Sequence, residues 1–500
     1  MLITESHSKE IKGTLYCYDR VIIRCTAGTF GFVGGMTKFF IENKFKIFDF
    51  AKVFEPVTQN IKENAEKIAE ENGIKIEYIR NNNAFRKEDK ISEIIRERGT
   101  HPGLVHIFSA LEVCDTYRPW HDKQTGQTFF KNDQNKQLHY YFYFIDELFG
   151  ECFLKVPTIA PFKCVFYFNG HNYLEHKLKK HGIEYEKHDN AFVNISDFDK
   201  AQELSDNFKV EKLHSALDAF MKRYCPLPWD LPYNYTLSQV EYSLDIVFKS
   251  ADCLKPLYDN IIETAMHTVT PENIANFLGK RFSVQFEGEA GSRYNKRILG
   301  TRIKHQMGET SVKIYDKFGS VLRIEVTSND VSKFRTFRDV QKKDGSLVGE
   351  VANVKKSIYS LFPLAKIFKD AVNRYLSFIS DFDDPSDGVK KMDKVTQDIK
   401  QGFKNFKGFN FFNKDDEEIL KAIADGNFTI HGITRKNLLL MLPHKSKYQI
   451  SNILKRLRVH GLLRKVGKSY KYYLTSLARK IIISVFAFKN LDLTYALASS

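Results

Sequence analysis

The chain has 500 residues, 43% hydrophobic and 27% charged, which excludes wholesale disorder and leaves room for roughly two to four domains. Its 76 Lys+Arg against 61 Asp+Glu give a net charge of +15, which points to an anionic partner, and its 42 Phe and 24 Tyr supply a large core with some stacking surface. No apolar run is long enough to cross a bilayer, and the start MLITESHSKE lacks the basic-then-apolar layout of a secretion signal, so a soluble, cytoplasmic protein with no membrane partner is expected. The seven cysteines include no pair at two-residue spacing, which supports reduced thiols rather than a zinc ribbon or redox motif.

From Arg20 to about Glu186 strand-like and helix-like runs alternate, which favours an α/β layer arrangement, a mixed sheet with helical insertions. Arg20–Cys25 reads as a strand, AGTFGFVGGM (27–36) as a glycine-rich loop and Thr37–Asn43 as the opening of a helix. That order is the geometry of a phosphate cradle. No Gly-Lys-Ser/Thr follows, however, and the glycine spacing fits neither nucleotide fingerprint, so a structural tight turn is the preferred reading. Phe54–Asn72 and Lys87–Arg98 are expected helices, and Lys75–Ile79 and Leu104–Phe108 strands. Trp120–Lys131 reads as an exposed hairpin around Thr125-Gly126. Leu138–Phe144, Cys152–Val156 and Lys163–Phe168 form a second sheet region. The turn IDELFG (145–150) places Asp146 at a strand end, where RNase-H-like nucleases carry a metal-binding carboxylate and where ordinary hairpins also use Asp. A metal site needs further ligands, and Glu325, or Asp19 at the entry to the first strand, is the expected companion of Asp146. His171, His176 and His181 are spaced by five and do not share a helical face; Asn169–Asn172 looks like a turn capping the next helix. Asp199–Leu278 reads as mostly helical, including Leu237–Lys249.

Gly300–Asp330 reads as a three-stranded meander: GTRIKHQM, a GET turn, SVKIYD, a KFG turn and SVLRIEVTSND. Alternation puts Lys313 and Tyr315 on one face, and likewise Arg323, Glu325 and Thr327, with Leu322, Ile324 and Val326 inward. The charged pair beside a tyrosine reads either as a reaction surface or as an exposed salt-bridge ladder. The string KIYDK…LRIEV resembles the core strands of phage and plasmid rolling-circle replication initiators, over about thirty residues. That resemblance implies a tyrosine that cuts one DNA strand beside a metal held by His and acidic residues. By position the tyrosines are Tyr359 and Tyr375, in the helical stretch Val354–Ile379, whereas the His-hydrophobe-His pair of that class is missing.

DFDDPSDG (381–388) marks a break, and Val389–Asn413, polar and Lys-rich, reads as a connector. Beyond it, eleven basic residues and no acidic one lie between Lys445 and Lys480, so the rest of the chain nets only +4. Lys414–Ala424 and Thr434–Leu442 are short helices. Ser446 opens a third with a Ser–Gln capping box, its Ile450, Leu454 and Leu457 facing inward. Two short strands around a glycine turn and a helix from Ser476 to about Ser484 complete the run. QISNILKRLRVHGLLRKVGKSYKYYLT resembles the DNA-binding winged helix of MarR-like regulators. The resemblance implies that Ser451 and Asn452 reach base edges while Lys447, Lys455, Arg464, Lys465, Lys468 and Lys471 hold phosphates, with Tyr448 and Arg458 on the same outer surface.

The expected organisation is an α/β domain over 1–195, a helical region over 196–280, a β-meander with helices over 281–384, a linker over 385–412 and a winged-helix domain over 413–485. The expected function is DNA binding of mobile-element or replication type. The body is read either as a strand-cutting or strand-transfer enzyme using Mg²⁺, or as the sensing or assembly domain of a non-catalytic regulator. DNA is the expected partner, with RNA left open and a homodimer compatible.

Overall fold

The computed structural model describes residues 2–80, 86–280, 290–297, 300–380, 386–424, 432–466, 470–475, 477–478, 480–482 and 485. The chain divides into two compact units, 1–383 and 384–500, and the architecture is mixed α/β around one large sheet. In chain order the strands of the first unit are β1 (Ile11–Ala27), β2 (Glu77–Ile79), β3 (Gly103–His121), β4 (Thr128–Asp146), β5 (Gly150–Pro157), β6 (Cys164–Asn169), β7 (Tyr185–His188), β8 (Ala191–Ile195), β9 (Tyr233–Phe248), β10 (Ala290–Arg297), β11 (Gly300–Met307), β12 (Thr310–Lys317) and β13 (Val321–Ser328). Eleven of them form the sheet in the order β10-β11-β12-β13-β9-β1-β6-β5-β4-β3-β2, while β7 and β8 make a separate hairpin. All pairings in the sheet are antiparallel except β2 with β3.

Strand alternation gives the sheet two unlike faces. Val21, Ile23, Leu244, Ile246, Ile324, Phe166 and Phe168 are fully buried and belong to the main core, as do apolar residues of the helices Phe50–Glu71, Val210–Tyr224, Ala251–Thr268 and Leu361–Ser380. The opposite face is covered at two places. Leu15 and Cys17 lie under a lobe formed by the helix Gly170–Lys180, the β7–β8 hairpin and the helix Phe198–Asp206. Val105, Phe108, Tyr141 and Tyr143 lie under Ile91 of the helix Lys87–Arg98. On the same face β1, β9 and β13 carry the buried polar side chains Asp19, Glu241, Asp245, Arg323 and Glu325.

The meander forms as expected, as β11–β13, with Leu322, Ile324 and Val326 buried. Arg323 on its other face is buried as well, so it does not form an exposed ladder. The expected helix Leu237–Lys249 is instead part of β9. From Val240 to Phe248 every residue is buried, and the backbone pairs with β1 on one side and β13 on the other. Val240, Tyr242, Leu244 and Ile246 alternate with Glu241, Ser243 and Asp245, the period-two signal of a strand that the helical reading passed over. The glycine-rich loop is a 3-10 turn, Gly28–Gly31, followed by the helix Val33–Glu42. A Cβ on Gly35 would stand 2.1 Å from the Thr29 carbonyl oxygen, which accounts for the glycine by close backbone approach.

After β13 a two-stranded ribbon, β14 (Arg335–Gln341) with β15 (Leu347–Asn353), stands apart from the sheet. In the second unit the stretch expected as a connector holds a helix, Ser386–Thr396, and a short hairpin, β16 (Ile399–Gln401) with β17 (Lys404–Phe406). It contributes Val395 and Phe409 to a core shared with Ile419, Leu420, Leu438, Ile450, Leu454 and Leu457, so its scattered apolar residues are anchors rather than spacer. The helices Lys414–Ala424, Arg435–Met441 and Lys447–Val459 follow, then β18 (Leu463–Lys465) paired with β19 (Tyr472–Leu474). Ser446 Oγ accepts from Gln449 N–H while Gln449 Oε1 accepts from Ser446 N–H, the expected capping box. Most of the expected last helix, and Lys468, lie outside the described residues. Among the described residues no helix is long and apolar enough to cross a membrane.

Gly35→Ala is expected to destabilise the first unit by about 2 kcal/mol, because the new methyl meets backbone rather than a movable side chain. Urea unfolding followed by tryptophan fluorescence checks this, since both tryptophans, Trp120 and Trp229, lie in that unit.

Candidate metal centre

A bulge in β1 creates the site. Tyr18 pairs with Tyr242 and Val21 with Val240, so Asp19 and Arg20 oppose the single residue Glu241. The extra residue resets alternation: Tyr18 and Val21 both stay in the core, and Asp19 is turned towards the polar face. Asn169 and Asn190 each donate a side-chain N–H to Asp19 Oδ1, at 3.0 and 2.6 Å.

Beneath Asp19 lies Arg323, fully buried. Its Nε and Nη2 donate to the two oxygens of Asp245, both at 2.6 Å, and its Nη1 donates to Asp19 Oδ2 at 3.2 Å. Nη2 also donates to the Asn190 carbonyl at 2.7 Å and to His171 Nε2 at 3.1 Å. His171 sits at the start of the helix Gly170–Lys180, which Asn169 caps by accepting from His171 N–H. With Nε2 accepting, the ring carries its proton on Nδ1, which lies 3.3 Å from Asn169 Oδ1 and 3.5 Å from Asp19 Oδ1. Burial alone would raise both aspartate carboxyls. The Arg323 charge and His171 overcome it, holding Asp245 at about 2 and Asp19 well below the usual carboxylate range.

Above the guanidinium, carboxylate oxygens of Asp19, Glu241 and Glu325 come within 4.8 Å of one another. They arrive from β1, β9 and β13, adjacent strands of the sheet. Lys313 Nζ lies 2.5 Å from Glu325 Oε1 and 3.5 Å from Glu241 Oε1. Tyr315 donates to Glu325 Oε2 at 2.8 Å, Thr327 to Glu325 Oε1 at 2.9 Å and Gln239 to Glu241 Oε1 at 2.9 Å. Burial, and then the charge of Glu325, push Glu241 up, and burial with the same glutamate pushes the Tyr315 hydroxyl well up. Burial would lower Lys313, but Glu325 and Glu241 raise it.

Three hard carboxylate ligands at this spacing suit Mg²⁺ or Mn²⁺. Asn190 Oδ1, buried and without a partner among the described residues, belongs to a side chain that already contacts Asp19. The Lys313 ammonium now supplies positive charge between Glu325 and Glu241, and its stem is long enough to swing aside. The donor set therefore fits a divalent ion.

Glu325 and Asp19, expected as alternative companions of Asp146, meet each other instead, and Asp146 lies elsewhere. Its Oδ1 accepts from Leu148 and Phe149 N–H, the hairpin role, and β4 is five strands from β13, about 24 Å. Tyr375 is fully buried against His305 on the helix Leu361–Ser380. Tyr359 is half exposed, its hydroxyl 2.7 Å from His214 Nδ1, beside Tyr235 on the helix-covered face and about 20 Å along β9 from Glu241. The tyrosine that contacts the trio is Tyr315. Glu241 and Asp245 escaped the sequence reading because their strand was read as a helix; as strand residues two positions apart from Ser243, they share its face.

In the second unit Lys447, Tyr448, Asn452, Lys455, Arg458, Arg464, Lys465 and Lys471 are exposed, and Ser451 is half-buried with its Oγ donating to the Lys447 carbonyl. Arg456 is structural, bonded to both oxygens of Asp416. A second group, Asp415, Glu418 and His444, is exposed and already paired, Asp415 with Lys445 and Glu418 with His444. No family model, curated protein or solved structure matches this chain.

Arg323→Ala is expected to cost roughly 3–5 kcal/mol, since it leaves two carboxylates buried without a counter-charge; urea unfolding reads it. Asp245, depressed when folded, stabilises above its unfolded value near 3.8, and that contribution is lost as pH falls towards about 2. The unfolding free energy of the wild type, from urea titrations at each pH, is expected to drop across that window by on the order of 2 kcal/mol more than that of Asp245→Asn.

Proposed function

We propose that the protein is a DNA-processing enzyme, in which the first unit cuts or transfers a DNA strand with a divalent ion and the second is a winged-helix DNA-binding domain. The observation that carries this reading is the convergence of Asp19, Glu241 and Glu325 from three adjacent strands, with their oxygens within 4.8 Å. A bound Mg²⁺ would polarise a phosphoryl oxygen and offset charge on the phosphate under attack. Asp19, Glu241 and Glu325 would hold it. Arg323 fixes Asp19 in place, Tyr315 and Thr327 orient Glu325, and Lys313, released from the trio, is left beside the phosphate.

For the second unit, the support is the order of elements and the charge. Among the described residues the helices Lys414–Ala424, Arg435–Met441 and Lys447–Val459 lead into the β18–β19 hairpin, and the last of them presents Lys447, Asn452, Lys455 and Arg458 outward within an acid-free run. Lys447, Lys455, Arg464, Lys465 and Lys471 are the phosphate-holding residues, and Ser451 and Asn452 the base-reading ones. A second reading has its own observation. Lys313 seated between Glu325 and Glu241 makes a complete ion-pair cluster without any metal, as a non-catalytic DNA-binding regulator would need.

Purified protein incubated with end-labelled single-stranded and duplex DNA and Mn²⁺ or Mg²⁺ separates the two. Shortened product, or label held on the protein, is expected, reduced at least about a hundredfold in Glu325→Gln and Glu241→Gln and unchanged in Asp146→Ala. DNA that stays intact under every condition but shifts on a native gel decides for the regulator. Duplex binding is expected to weaken steeply with salt and to be lost on deleting 384–500.

A further inference from the structure

The β14–β15 ribbon has no core of its own, yet it displays an apolar strip. Phe337 pairs with Val351 and Gln341 with Leu347, which puts Phe337, Val351 and Leu347 on one face, at 72%, 54% and 69% exposure. An isolated two-stranded ribbon is marginal in water, so such a strip calls for a partner. The Phe337 ring leans across Gly349, where an added Cβ would stand 2.8 Å from the ring. One side of the ring is thus held by the ribbon backbone while the rest of it stays open to solvent. The surrounding charge is positive: seven basic residues against three acidic lie between Lys333 and Lys356. Two of those acids are engaged locally, Glu350 by Lys342 and Asp344 by the Ser346 N–H and hydroxyl of its own turn.

The ribbon is also rooted on the strands that carry Glu325 and Glu241. It leaves after Ser328, the last residue of β13, and Glu325 lies three residues, about 10 Å, before that end. It closes with Val354 N–H donating to the Phe334 carbonyl and returns to β9, the strand of Glu241, where Leu237 N–H donates to the Lys356 carbonyl. Seven residues in each arm reach about 23 Å from this root.

We infer that the ribbon is an arm that binds single-stranded DNA, stacking an unpaired base on Phe337 and holding the neighbouring phosphates with Arg335, Lys343 and Lys355. The inference rests on the DNA-processing reading of the first unit, whose carboxylates the bound strand would meet at the ribbon's root. An open ring beside cations is the feature that recognises unpaired nucleic acid without regard to sequence. A second copy of the chain suits the strip less well. Three apolar side chains cover only a fraction of the roughly 800 Å² per partner that a stable interface buries.

The test uses the full chain in EDTA, with fluorescence anisotropy on a labelled mixed-sequence single strand, a forked duplex and a blunt duplex. Phe337→Ala is expected to weaken binding to the single strand and the fork by about tenfold and to leave the blunt duplex within about twofold, whereas Phe337→Trp keeps wild-type affinity. Equal affinity of Phe337→Ala and wild type for the single strand overturns the inference, as does wild-type protein that binds no single strand or an equal loss on all three DNAs. A lower sedimentation coefficient for Phe337→Ala also overturns it, and makes the strip a contact between copies. EDTA keeps the two proposals apart: DNA left uncut when Mn²⁺ is restored removes the catalytic reading but not the arm.

Discussion

One buried guanidinium organises the first unit. Arg323 binds Asp245 from the neighbouring strand, Asp19 from the strand beyond and the Asn190 carbonyl from the β7–β8 turn, so a single cation ties β13, β9, β1 and the covering lobe. A charge in that position is tolerable only because every face of it is met by a carboxylate, a carbonyl or the His171 ring. Two carboxylates around one arginine leave an excess of negative charge, and Glu241 and Glu325 add to it. Lys313 meets that excess from the solvent side.

The two cations differ in kind. Arg323 offers a rigid planar fork and is enclosed, whereas Lys313 offers a point charge on a flexible stem at 14% exposure. Arg323 therefore fixes the geometry, and Lys313 meets Glu325 and Glu241 from a stem that can move. The β1 bulge makes this arrangement compatible with the fold. Without it, Arg20 would point into the main core and Val21 out of it.

The carboxylate centre lies beside the lobe on one face of the sheet, and the ribbon follows β13 and returns to β9. On the proposed reading this divides the labour by chemistry. Carboxylates on rigid central strands supply a fixed centre, the aromatic and basic ribbon handles unpaired DNA, and the exposed cations of the second unit supply duplex affinity.

The sequence made the strongly periodic elements legible: the meander and the helices flanking β2 follow from spacing and the helix at Ser446 from its capping box, all of them local. It also showed Arg323 and Glu325 on one face, and named Asp19 and Glu325 as site candidates, because alternation and strand-end carboxylates are visible in one dimension. It missed Glu241 and Asp245, because the alternating run Val240–Ile246 was read as part of a helix, and it paired Glu325 with Asp146. That partnership was beyond local reasoning, since strand order is set by pairings across hundreds of residues: β1 lies between β6 and β9, and β9 between β1 and β13. Chain chemistry thus determined which residues were able to bear charge or bind a phosphate. Only the tertiary structure decided which of them share a centre, because burial of the sheet's apolar face fixes strand register and a one-strand shift moves a carboxylate by nearly 5 Å.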